Sequence, residues 1–251
     1  MERSSERKFG NERPVALVTG SASFLGQAIC RKLARMGFDL ALHYWRSSRK
    51  TLLLSRELGS LSSQTLLFQA DLRMPSRAMR TIQEVLRKIP RLDLLVNNAS
   101  LFYPTPLARS RPEQWEELLS INLVSPYFLC RAAFPLLKKT SGAVVNMTDI
   151  YGESPRLKDH AAYCISKAGL LSATKILAME LGPFVRVNAV SPGAISIPQY
   201  YDSKRRKALI EKSALKRQGR PEDVAEAVHF LATQPFLTGQ VLKVDGGRSD
   251  S

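Results

Sequence analysis

Acidic residues are scarce in this chain of 251 residues: 22 Asp and Glu stand against 37 Lys and Arg, for a formal net charge of +15. Cysteine is rarer still. Cys30, Cys130 and Cys164 are odd in number, far apart and set in apolar or helical surroundings, so they read as reduced core thiols and not as a disulfide framework. The three histidines have no ligand spacing, which argues against a zinc site, and no metal is expected. No run approaches the roughly 18 consecutive apolar residues that span a bilayer. The opening stretch MERSSERKFGNER is polar and lacks the apolar core of a secretory signal, so a cytosolic protein with no membrane partner is expected. With 44% apolar residues, global disorder is excluded and a sizeable core is available.

The positive charge leaves three readings open. Part of it lies in DSKRRKALIEKSALKRQGR, residues 202–220, which reads first as a solvated helical face in a generally basic chain. Attraction of a phosphorylated cofactor or a carboxylated substrate is the second reading. Nucleic acid is disfavoured, because no aromatic-basic interleaving or DNA-reading helix accompanies the charge.

Along the chain, short Val- and Leu-rich runs alternate with longer periodic ones. VALVTG (15–20), FDLALHY (38–44), TLLFQA (65–70), LDLLVNN (92–98), GAVVNMT (142–148), VRVNAVS (185–191) and GQVLKVD (239–245) read as buried strands. Residues 26–37, 76–89, 112–139 and 160–182 carry apolar positions at three- and four-residue steps and read as helices. Such alternation implies an α/β protein: one doubly wound parallel sheet of seven strands with right-handed crossovers and helices on both faces. No linker or repeat divides it, so 14–251 reads as a single domain, with 1–13 as a mobile basic tail.

The first strand runs into TGSASFLG. Gly20 permits a sharp turn, Gly26 permits close packing of the next helix, and the amides opening that helix (Ser23, Phe24, Leu25) would face a pyrophosphate. The end of the second strand selects the nucleotide. HYWRSSRK supplies His43, Tyr44, Arg46 and Ser47 as cofactor candidates, and a cation with a hydroxyl there favours a 2′-phosphate, hence NADPH. Asp39 has the sequence distance of an NAD-type acid but begins its strand, at the wrong end of the sheet.

Chemistry enters with YCISK. Tyr163 and Lys167 are four apart in a helical stretch and share a face. A free phenol titrates near 10, so an adjacent ammonium is expected to bring it into use near neutral pH.

Together TGSASFLG (19–26), QADL (69–72), NNAS (97–100), Asn122, YCISK (163–167), SPG (191–193) and VDGG (244–247) resemble the short-chain dehydrogenase/reductase family, a Rossmann fold, over nearly the whole chain. The resemblance implies that Asp71 and Leu72 contact adenine and that Asn98, Ala99 and Ser100 line the NADPH/NADP+ cofactor. It also implies that Tyr163 and Lys167 reach the nicotinamide ribose, Pro192 and Gly193 border the nicotinamide, and Asn122 holds a water for proton relay. A homotetramer paired through helices 112–139 and 160–181 is implied as well.

Most members of that family place a serine three residues after the Asn that ends the fifth strand; this chain has Asp149. An ionised carboxylate would repel an oxygen that gains charge during carbonyl reduction. It can instead feed a proton to a ring nitrogen through Tyr163, which suits a C=N bond. NNASLFYPTPL, HYWRSS, NMTD and FLTGQVLKVDGG resemble, more narrowly, the pteridine reductases. That resemblance implies that Phe102 stacks on a pterin or folate, that Ser100 hydrogen-bonds to it or to cofactor phosphate, and that Asp149, Tyr163 and Lys167 are catalytic. Pteridine reductases carry an arginine where this chain has Phe24. The expectation is an NADPH-dependent reductase of dihydropterins or dihydrofolate, with a ketoacyl or small-ketone reductase as the alternative and a nucleotide-sensing or nucleic-acid-binding protein as a third.

Overall fold

The computed structural model describes residues 10, 12–197 and 201–249. Seven strands form: β1 (Val15–Val18), β2 (Asp39–Tyr44), β3 (Thr65–Gln69), β4 (Leu94–Asn97), β5 (Ala143–Met147), β6 (Arg186–Pro192) and β7 (Val241–Val244). They make one sheet in the order β3-β2-β1-β4-β5-β6-β7, and every pairing is parallel. Each strand meets the hydrophobic pattern on two faces, since alternate side chains point to opposite sides. Ala16 and Val18 of β1 join one core with Ile29 and Leu33, while Val15 and Leu17 join the other with Ile82 and Leu137.

The first core is closed by α1 (Phe24–Arg35), α2 (Ser48–Gly59) and α9 (Pro221–Thr233). The second is closed by α3 (Pro75–Leu86), α5 (Ser125–Thr140) and α7 (Ala161–Leu181). Fully burying each Leu or Ile in these layers contributes roughly 1.5–3 kcal/mol, so both faces are held by the same effect. The remaining helices are α4 (Pro112–Leu119), α6 (Ile150–Glu153) and α8 (Ser203–Glu211), and α8 has no buried residue. The basic segment is thus a solvated helix in part, as its composition implies. Cys30, Cys130 and Cys164 are free and buried.

Three features depart from the pattern reading. Residues 112–139 do not form one helix: a π-helical turn, Ser120–Val124, separates α4 from α5, with the Ser125 amide bonded to the carbonyl of Ser120. Pro126 supplies a reason. An uninterrupted α-helix would press its ring against the carbonyl of residue 122 and find no amide there to donate. The proposed tail boundary also shifts. Arg13 donates to the carbonyls of Gly37 (2.9 Å) and Ser62 and lies 3.4 Å from the Asp39 carboxylate, which fastens it to the sheet's lower rim. Residues 1–9 and 11, the rest of that tail apart from Gly10 and Glu12, lie outside the described residues. Finally, α2 and α9 close one core although neither stood out in the sequence. No helix among the described residues is long and apolar enough to cross a membrane.

Candidate active site

Between β1 and β4 the strand order reverses, and the loops leaving their carboxyl ends diverge. The loop after β1 is held from three sides. Gly20 has φ +61, a conformation that favours glycine, and a Cβ there would sit 3.0 Å from the Ala99 Cα. A Cβ on Gly26 would fall 2.3 Å from the Gly20 carbonyl oxygen, so only glycine lets α1 enter this close to the turn. The Asn98 amide donates to the carbonyls of Thr19 (2.8 Å) and Gly20 (3.0 Å). Ser23 caps α1, accepting from the Gly26 amide at 3.1 Å.

His43 completes the brace. Its Nδ1 accepts the Gly20 amide at 3.0 Å, so Nε2 carries the proton and donates to the Ala70 carbonyl at 2.9 Å. Burial pushes this imidazole down to about 4, which keeps it neutral. Expected as a cofactor contact, its side chain is spent on holding the turn.

A cavity of 460 Å³ lies over this loop. The cofactor candidates that follow β1, β2, β3 and β4 all border it except Gly26, Tyr44 and Ser47. Gly26 lies beneath the turn. Tyr44 pairs with Gln69 at the end of β2, and the Ser47 carbonyl accepts from the Thr51 amide and hydroxyl at the start of α2. Phe24 is 55% exposed at the cavity edge and brings no charge to it. Cations come from elsewhere on the rim, from Arg46 and from Arg73. The latter grips Asp71 through Nε and Nη2 (2.9 and 2.7 Å), reaches Glu117 at 3.3 Å, and lies 5.6 Å from the Trp45 ring. This pairing holds the Asp71 carboxyl below its ordinary range. Arg73, Trp45 and Glu117 were not foreseen.

A second cavity of 370 Å³ adjoins the first and shares Leu25, Asn98, Ser100 and Ser196 with it. Phe102, Asp149, Tyr163, Lys167, Pro192 and Gly193 line it. Asp149 follows β5 and caps α6: its Oδ1 accepts the Tyr151 amide at 2.9 Å, and its Oδ2 accepts the Tyr163 hydroxyl at 2.7 Å. Burial raises the carboxyl above its ordinary value. The buried Lys167 donates to the Met147 carbonyl at 2.8 Å, with Nζ over the Tyr163 ring, 5.8 Å from its centre. Desolvation lowers this ammonium to about 8 against the pull of Asp149.

One expectation is reversed here. The ammonium does not bring the phenol toward neutrality; burial and the adjacent Asp149 carboxyl raise it well above its ordinary value. Tyr163 is therefore a neutral hydroxyl that can give a proton and take another from Asp149, and not a standing phenolate.

Asn122, in the π-helical turn, touches neither Asp149 nor Tyr163 directly. Its Oδ1 accepts from the Ser100 hydroxyl (3.0 Å) and the Leu101 amide (2.9 Å), and its Nδ2 donates to the Leu101 carbonyl and the Ser166 hydroxyl, each at 3.0 Å. It ties the 98–102 loop to α7. Phe102 stacks on His160 (4.7 Å between centres, 23° between planes) and meets Tyr163 edge-on at 4.7 Å. Among the unforeseen members is Arg248, near the C-terminal end, whose guanidinium donates to the Tyr151 hydroxyl. It adds a cation to this cavity, whereas Phe24 borders the nucleotide cavity.

A family model described as enoyl-(acyl carrier protein) reductase matches residues 20–249. The chain belongs to the short-chain dehydrogenase/reductase family. Among relatives in that family, a Streptomyces violaceoruber protein named as ketoacyl reductase 2 of the granaticin polyketide synthase is 38% identical over 244 residues, covering 94% of this chain and 96% of its own. A blue fluorescent protein from a metagenomic library, solved in complex with NADPH, superposes with a TM-score of 0.88 at 30% identity, over 94% of this chain and 97% of that one. FolM alternative dihydrofolate reductase 1 from Brucella canis, solved with NADP, gives 0.86 at 28% identity over 95% of each chain. As a short-chain dehydrogenase/reductase the protein is an oxidoreductase that works with a nicotinamide cofactor.

Proposed function

We propose that this protein is an NADPH-dependent reductase of pteridines, taking a 7,8-dihydropterin or dihydrofolate to the tetrahydro form. The observation that carries the reading is the 2.7 Å hydrogen bond from the Tyr163 hydroxyl to Asp149. When bound, the cofactor supplies a hydride, here to C6 of the dihydropterin ring. The glycine turn and the first turn of α1 suit its pyrophosphate, and Arg46 with Arg73 suit a 2′-phosphate. Lys167 would hold the ribose, and Pro192 and Gly193 would border the nicotinamide. Tyr163 donates a proton to N5 and takes one from the acid form of Asp149, which burial favours and which solvent then reprotonates. Phe102 packs against the flat ring, where offset stacking adds about 0.5–1.5 kcal/mol beyond burial. The NADP-bound dihydrofolate reductase of the same fold supports the substrate class.

A ketoacyl reductase is the second reading, favoured by the relative that is 38% identical. Asp149 opposes it. In its ionised form a carboxylate about 4 Å from a developing oxyanion costs about 4 kcal/mol at an effective dielectric of 20, a cost that its protonated form, the one the pteridine reading uses, does not carry. NADPH consumption measured in parallel against dihydrobiopterin, dihydromonapterin, dihydrofolate and a ketoacyl thioester separates the two: turnover of the thioester alone would refute the pteridine assignment. The proposal includes a homotetramer paired through α4, α5 and α7, on which Ile176 and Met179 are exposed. Light scattering on the purified protein should give four chain masses, and a monomer would remove that part.

A further inference from the structure

The reaction cavity does not end at its catalytic groups. Past Tyr151, Leu157, Leu209 and Arg248, which line both spaces, it opens into a cleft of 700 Å³ walled by residues 154–159 on one side and by α8 with its following turn on the other. The cleft wall carries six cations, Arg156, Lys158, Arg205, Lys212, Lys216 and Arg248, against two acids, Asp159 and Glu211. Some of these charges are already oriented. The Arg205 guanidinium lies 3.7 Å from the Tyr201 ring centre, and Lys216 Nζ donates to the Glu211 carbonyl at 2.7 Å. Glu211 is drawn off in part by Lys207, 3.7 Å away.

A concave wall with an excess of one sign gathers its potential and draws in opposite charge. The reaction cavity alone has room for a flat head group, while the larger adjoining space has the wrong charge for more of the same and the right charge for an anion. Guanidinium and ammonium groups bind carboxylate and phosphate oxygens through charge-assisted hydrogen bonds. We propose that the substrate carries an anionic arm, bearing carboxylates or phosphates, which extends from its reducible head past Arg248 into this cleft. The basic 202–220 segment is then part of the substrate site and not only a solvated face. The inference rests on the reading of the adjoining cavity as the place where the head is reduced.

The test uses arms without heads, on protein saturated with NADP+. p-Aminobenzoyl-triglutamate and 4′-phosphopantetheine are titrated by calorimetry at low and moderate salt, against wild type and a Lys158→Glu/Lys216→Glu variant. A Lys158→Gln/Lys216→Gln variant accompanies it in case charge reversal disturbs folding, which circular dichroism reads directly. The expected result is that one arm binds, more weakly as salt rises, and at least tenfold more weakly in the variants. Which arm binds distinguishes polycarboxylate from phosphate. In turnover, KM for the head joined to that arm rises at least tenfold in the variants, with kcat and the KM of an arm-free head unchanged. The proposal is overturned if neither arm binds, or if the variants bind as wild type does. Binding of an arm as described with no reduction of any pterin or thioester would instead sink the reaction assignment and leave the anion cleft standing.

Discussion

Replacing Asp149 with asparagine changes almost nothing in volume and removes the group that can pass a proton. In the native protein the Tyr163 hydroxyl donates to Oδ2 at 2.7 Å, and an asparagine oxygen can accept the same bond, at the loss of the acceptor that Oδ1 gives the Tyr151 amide. What it cannot do is reprotonate the phenol. Positioned acid-base groups contribute roughly 10²–10⁴-fold, or about 2.7–5.4 kcal/mol, so kcat for dihydropterin should fall by a factor in that range. The pH profile adds a second readout. Burial raises the carboxyl, so wild-type kcat should decline as pH rises through that raised value, and the variant should be flat there. Stability should fall with rising pH as well. With a folded-state pKa above the unfolded one, the native state holds the extra proton in between, and stability is lost as pH climbs through that window. Asparagine escapes that pH-dependent loss but gives up the cap on the Tyr151 amide, so its melting temperature should stay flat across the window in which wild type declines. Stopped-flow NADPH oxidation across pH 5–9, with calorimetric melting, measures all three. A variant within threefold of wild-type kcat and with the same pH profile would refute the proton path. A variant that gains ketone reduction while losing nothing with pterins would do so as well.

Other outcomes follow from the same geometry. Gly26→Ala drives a Cβ to within 2.3 Å of the Gly20 carbonyl oxygen and should cost about 1–3 kcal/mol, seen as a lower melting temperature and weaker NADPH fluorescence binding. Arg46→Ala removes one cation at the second-strand end of the nucleotide cavity. If a charge-assisted contact of about 1.5–3 kcal/mol is lost, KM for NADPH should rise about 10- to 100-fold with that for NADH nearly unchanged. His43 should make the fold acid-sensitive. Its pKa of about 4 lies below the unfolded value, so its contribution is intact above pH 6.5 and is lost as pH falls toward 4, about 3 kcal/mol in all. Urea unfolding at pH 7.5 and pH 4.5 measures it; equal stability at both would contradict the buried neutral imidazole.

The strands were legible because each is short, apolar on both sides and bounded by turn residues, and that pattern has few other solutions. The two glycines of the β1–α1 turn and the Asp149–Tyr163 pair were legible for a related reason, since their chemistry tolerates few substitutes. What escaped was cooperation between distant segments. In α2 three leucines run together at 52–54, yet only Leu54 is buried while Leu52 and Leu53 face outward, so the run hid the helical period. Arg73 stands two residues past Asp71, and its side chain returning onto that carboxylate is a local signal that could have been found. Arg248 gave no such signal, because nothing in its neighbours says that the chain end crosses back to Tyr151. The direction of the Tyr163 shift was misjudged from spacing alone. Four residues on a helix place Lys167 nearby, but the Met147 carbonyl claims its ammonium, and desolvation outweighs it.

The wide turn at Ser120–Val124 makes the chain's tolerance of length changes uneven. Each residue of an ordinary helix advances the side chains by about 100°, so taking one residue out of this turn would swing Asn122 away from Leu101 and Ser166. The segment carrying Ser100 and Phe102 would lose its latch. A codon deletion here is therefore expected to lower activity by displacing Ser100 and Phe102, from a stretch that holds no acid, base or nucleophile.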